Sequence, residues 1–155
     1  MHESYQSKND NSTLNDDSTS PARVLRRFIK AMNEWERQCW KEYTESKMKK
    51  IDPLIQHKRF QQRQEKIFAR YCTPKKRLIV GRFGSFRNPP EYDPETEILL
   101  KVDEISKWRV IIYTQQGTGF RNKCRYVLLR KGSRWLIDNK RIFLEPFNKW
   151  IRASL

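Results

Sequence analysis

The sequence predicts an α+β domain, with helices first and a mainly antiparallel sheet after them. Three observations carry this prediction. Apolar residues recur at three- and four-residue spacing through the first part of the chain, the period of a helix with one buried face. Beyond Pro74 the texture changes to short β-branched and aromatic runs separated by Gly, Asn or Pro, the pattern of strands. A 37% hydrophobic content in 155 residues suits one modest core and not two.

Residues 1–19, MHESYQSKNDNSTLNDDST, hold Glu3, Asp10, Asp16 and Asp17 against only Lys8 and contain few branched apolar side chains. Such a segment cannot bury enough surface to offset its ordering entropy, so a disordered acidic, polar tail is expected there. A single domain is expected over residues 20–155. It opens with Ser20-Pro21, a cap residue followed by proline at the first helical position. Leu25, Phe28, Met32, Trp35 and Cys39 then form one stripe, widened by Trp40 and Tyr43. Lys47, Lys49 and Lys50 suit the negative end of the helix dipole, and Asp52-Pro53 breaks the run. A second helix is expected from Pro53 to Tyr71, with Phe60, Ile67, Phe68 and Tyr71 inward, ended by Cys72-Thr73-Pro74.

Strands are expected in KRLIVGR, EILLKVDEI, WRVIIYTQQ, KCRYVLLRK and RWLIDNKRIFL. Between the first two lies FGSFRNPPEYDPET, residues 83–96, a loop long enough to suggest a function. A two-residue turn at Gly132-Ser133 fixes the register of the last hairpin. One face then pairs Leu128 with Ile137, Tyr126 with Asn139 and Cys124 with Arg141, and meets the helices. The other pairs Leu129 with Leu136, Val127 with Asp138 and Arg125 with Lys140. In that register Asp138 sits beside Lys140 and diagonally from Arg125, so its carboxylate is stabilised. A general base working near neutral pH needs the opposite, which argues against catalysis at Asp138. The second face, aliphatic at its centre and basic around it, reads either as a sheet covered by the C-terminal segment EPFNKWIRASL or as a partner-binding surface.

The formal net charge of +15 favours acidic partners: nucleic acid, an anionic membrane or an acidic protein surface. Cys39, Cys72 and Cys124 are odd in number and far apart, so reduced thiols fit better than disulfides or a zinc site. No apolar run approaches the ~18 residues of a membrane span, and the N-terminus lacks a signal pattern. These points together predict a cytoplasmic protein that does not engage a membrane. His2 and His57 supply no triad or His-rich metal site. Neither Gly81-Arg-Phe-Gly84 nor Gly117-Thr-Gly119 has the spacing or lysine of a phosphate-binding loop. No catalytic residue, metal or cofactor is assigned, and Lys75-Lys76-Arg77 alone is weak evidence for nucleic acid.

Taken together, SPARVLRRFIKAMNEWE, IFARYCTP, GRFGSFRNPPEYDPETE and WLIDNKR resemble bacterial immunity proteins of polymorphic toxin systems. These have the nuclear-transport-factor-two-like fold. The resemblance spans residues 20 to about 155, and the glycine, the proline pair and Tyr92-Asp93-Pro94 in the loop make it fairly specific. It implies a cone-like domain whose N-terminal helices pack in the concave face of a curved sheet. It also implies a non-catalytic function: binding and neutralising a toxin domain made by the same cell. Basic steering then implies an acidic contact surface on the toxin. It does not suit mimicry of nucleic acid in a nuclease cleft, which would call for an acidic inhibitor.

On this reading the partner-binding candidates are Phe83, Phe86 and Tyr92 as aromatic anchors, with Arg87, Arg125 and Lys140 as charged contacts. All three aromatics have a second reading, as plugs in the open end of the cone, which weighs at least as much as the first for Phe83 and Phe86. Two other functions compete. A nucleic-acid-binding module would use the basic surface and aromatic stacking. A small-molecule-binding or enzymatic member of the fold would line its pocket with Tyr126, Trp135 and Asn139. Homodimerisation is compatible with all three.

Overall fold

The computed structural model describes residues 20–77 and 86–155. The expected tail, the core of KRLIVGR and Phe83 lie outside them. Helix α1 spans Pro21–Lys49 and α2 spans Pro53–Tyr71, followed by strands β1 (Ile98–Ser106), β2 (Arg109–Gln115), β3 (Lys123–Lys131), β4 (Arg134–Leu144) and β5 (Lys149–Ala153). The strands make one antiparallel, curved open sheet in the order β1-β2-β3-β4-β5, and the two helices pack against it.

The helix limits follow from their punctuation. Proline stands at the first positions of both, Lys50 closes α1 in the left-handed region, and the Asp52 side chain accepts a 2.9 Å bond from the Leu54 amide. All five residues of the α1 stripe are buried, together with Phe60 of α2 and Val110, Ile112, Tyr126, Leu128 and Ile137 of the sheet. The Trp35 indole donates to the Phe60 carbonyl at 2.9 Å, which fixes the rotation of α1 against α2. The last eleven residues differ from expectation. EPFNKWIRASL makes a single 3-10 turn over Glu145–Phe147, reverses at Asn148 in the left-handed region, and pairs with β4 as the edge strand β5.

The decisive difference lies in β4. From the turn to Leu128-Ile137 the pairing is as expected, but Val127 then pairs with Asn139, Tyr126 with Lys140 and Arg125 with Arg141. Asp138 is the extra residue of a β-bulge. Because side chains alternate, one inserted residue exchanges the faces of everything beyond it. Lys140 therefore turns into the core, while Asn139 and Arg141 turn outward. Asn139 cannot line an inner pocket beside Tyr126, and Lys140 cannot serve as a surface contact.

The exit from α2 holds this bulge in place. Cys72 bridges to Ile137, and the Thr73 amide donates to the Ile137 carbonyl at 2.9 Å. Arg77 donates to the carbonyls of Ile137 and Asp138, both at 3.2 Å. The backbone groups that the bulge removes from the ladder thus find other partners.

Candidate functional site

The bulge sets a row of three arginines on the sheet face away from the helices. Arg125 on β3 lies opposite Arg141 on β4, which lies opposite Arg152 on β5. Tyr113 of β2 continues the row, and Phe143 and Trp150 form the next cross-strand pair. The Trp150 ring gathers these groups: it lies 5.2 Å from Phe143 and 5.9 Å from Tyr113, with the Arg125 guanidinium 5.0 Å over it. Like charges directly opposite across strands destabilise a sheet unless something anionic answers them. Among the described residues, no carboxylate makes an ion pair with any of the three. The Arg125 Nε is buried and has no hydrogen-bond partner.

On the inner side of the same strands lies a buried charge. Lys140 is 1% exposed, and its ammonium meets Glu91 Oε1 at 3.4 Å and the Tyr92 hydroxyl at 3.3 Å. It also stands over the rings of Tyr92 and Tyr126, at 4.5 and 5.7 Å from their centroids. Burial opposes this charge, but the Tyr92 oxygen and the Glu91 carboxylate outweigh it and raise the Lys140 pKa. Nearby, Glu97 takes a 2.7 Å bond from the Thr114 hydroxyl, and burial raises its pKa against that bond. Burial likewise raises Tyr126, whose hydroxyl is buried without a partner.

The loop that supplies Glu91 and Tyr92 is gripped from α1. Glu36 is fully buried and accepts backbone bonds from Tyr92 at 3.0 Å, Glu91 at 2.9 Å and Arg87 at 3.4 Å. The Asn33 amide donates to the Tyr92 carbonyl at 2.6 Å. Burial lifts the Glu36 pKa to about 7, against the lowering effect of those backbone bonds. Phe86 is buried among Trp35, Tyr43, His57 and Phe60, the nearest ring being Phe60 at 5.3 Å. It is a core plug, and Tyr92, 5.6 Å from Phe28, is likewise an interior side chain and not a surface anchor. Arg87 remains at the surface, over the exposed ring of Phe120 at 5.8 Å. Phe83 lies outside the described residues.

Residues 20–154 match the family described as NTF2 fold immunity protein. The chain belongs to this family. The immunity protein is also 32% identical over 134 residues to "Immunity protein RhsIA" of Dickeya dadantii (strain 3937), an alignment covering 86% of this chain and 94% of that one. No solved structure matches it.

The immunity protein holds its three cysteines free and buried, and burial raises Cys39 and Cys72 to about 12 and Cys124 to about 11. Such thiols are poor nucleophiles. Among the described residues, no cluster of His, Cys, Asp and Glu could hold a metal ion, and no helix is long and apolar enough to cross a membrane. Asp138 is charge-paired, though not with the residues expected. It accepts from the Thr73 hydroxyl at 2.8 Å and meets the Lys75 ammonium at 3.2 Å. Burial would raise its pKa, but these contacts outweigh it and the pKa is lowered. Lys75 and Arg77 of the basic run thus have internal partners. Of the residues singled out in the sequence, Arg87 stands at the surface, Arg125 is half-buried on the outer sheet face, Tyr126 and Trp135 face inward, and Asn139 faces outward. Arg141, Arg152 and Trp150 were missed because the unbulged register turns Arg141 inward and leaves β5 unassigned.

Proposed function

We propose that this immunity protein binds and neutralises a cognate toxin domain made by the same bacterial cell, in the cytoplasm and without chemistry of its own. The arginine-lined sheet face makes the contact, and the toxin presents carboxylates to it. The observation that supports this reading is the aligned row Arg125, Arg141 and Arg152, flanked by Tyr113, Phe143 and Trp150 and unanswered by any described acid. Arginine and large aromatics are the side chains that dominate binding energy in protein interfaces, and clustered charge accelerates encounter with an opposite surface.

The test is co-expression with the product of the adjacent toxin-like gene, scoring growth rescue and co-purification. Replacing Arg141 and Arg152 by Glu should slow association by about tenfold or more without changing the melting temperature. An unchanged rate removes this face from the interface, and a chain that rescues growth from no neighbouring toxin removes the function. The same row also suits phosphate, with Trp150 available for stacking. If nucleic acid were the partner, binding to a generic single strand would fall steeply with added salt.

A further inference from the structure

Strand β1 lies at one edge of the sheet, and among the described residues nothing pairs with its outer side. It is exposed along almost its whole length, Asp103 alone being half-buried. Much of that exposure is apolar: Ile98 is 61% exposed, Leu100 52%, Ile105 56% and Trp108, in the turn beyond, 51%. A long apolar edge is a template for another strand unless something protects it. Bulges at Leu100 and Ile105 bound the central stretch, so that only Lys101 to Glu104 pairs regularly with β2.

That stretch is complementary to itself. Lys101 and Asp103 lie on one face, their side chains 3.1 Å apart. Place a twofold axis at Val102 between two antiparallel copies. Each Lys101 then stands opposite the other chain's Asp103, and Val102 stands opposite Val102. Moving the axis to Asp103 would set that carboxylate against its own copy, and an axis between Val102 and Asp103 would set valine against aspartate. The sequence therefore selects one register, and the flanking bulges limit the ladder to a closed pair.

We propose that a second copy of this chain pairs with β1, edge to edge, about a twofold axis at Val102. This joins two sheets into one and leaves the arginine-lined face of each copy open. The reading is independent of toxin binding, and its failure would leave that function untouched.

The experiment is sedimentation of the full chain over a range of concentrations. The wild type should self-associate reversibly. Lys101→Asp and Asp103→Lys should each weaken self-association by about tenfold or more, because each sets like charges opposite one another twice. An equimolar mixture of the two should associate again, since the paired carboxylates of one variant then face the paired ammonium groups of the other. The double exchange in one chain should restore self-association and controls for any loss of folding in the single variants. A wild type that stays monomeric at every concentration, single variants that associate unchanged, or failure of both the mixture and the double exchange would overturn the proposal.

Discussion

Replacing Lys140 by Ala and, separately, Arg141 by Ala tests which of the two neighbours is inside. Truncating Lys140 removes three buried methylenes beyond Cβ, worth about 2.4 kcal/mol at ~0.8 each. It also takes the cation from the Tyr92 hydroxyl and from Glu91, leaving polar groups that cost about 1–3 kcal/mol when unpaired. Relief of the ammonium's own desolvation offsets part of this, and Glu91, 29% exposed, can turn to water. The expected loss is about 3 kcal/mol, measured by urea unfolding with linear extrapolation. Lys140→Met, which keeps the stem, should lose only about 1 kcal/mol. Arg141→Ala lies half-buried on the outer face and should stay within about 0.5 kcal/mol of wild type. In the unbulged register the order reverses. A small loss at 140 with a large one at 141 would refute the inward lysine and the arginine row together.

The remaining expectations concern the loop and its anchor. Glu36 titrates near 7 in the folded protein against its ordinary 4.5, so between those values the native state holds a proton that the unfolded chain has lost. Its stabilisation is complete below about pH 4.5 and is lost as pH rises through 7. The stability difference between wild type and Glu36→Gln should therefore shrink across that window; parallel pH profiles would contradict the burial of this carboxyl. Phe86→Ala should cost about 3–4 kcal/mol in urea unfolding while folded molecules bind the toxin at an unchanged rate. Unaltered stability with lost binding would instead make Phe86 a surface anchor.

Both helices were legible because their ends are marked by residues with a local mechanism: Ser20-Pro21, Asp52-Pro53 and Cys72-Thr73-Pro74. The hairpin turn was legible for the same reason, and its pairing holds from the turn as far as Leu128-Ile137. The bulge was not, because what stabilises it is remote. The Thr73 hydroxyl that binds Asp138 lies 65 positions away in the chain, and no local pattern announces it. Burial of the loop did leave a trace. Asn33 and Glu36 fall inside the apolar stripe of α1, next to Met32 and Trp35, and polar residues in such places need partners. The partners are the backbone of residues 87–92. Strand β5 was hidden by its brevity, five residues behind a Pro-containing turn.

A single unpaired residue at Asp138 also decides which positions are free to vary. Beyond it, β4 is written in two interleaved alphabets. Even-numbered Lys140 is locked into the interior, whereas odd-numbered Arg141 and Phe143, with Trp150 and Arg152 across from them, lie on the outer face of the sheet. Those four letters can be rewritten one at a time while the core between sheet and helices stays untouched. A one-residue insertion or deletion between the turn and Asp138 has no such latitude, for it would transpose the two alphabets and bring arginine inside.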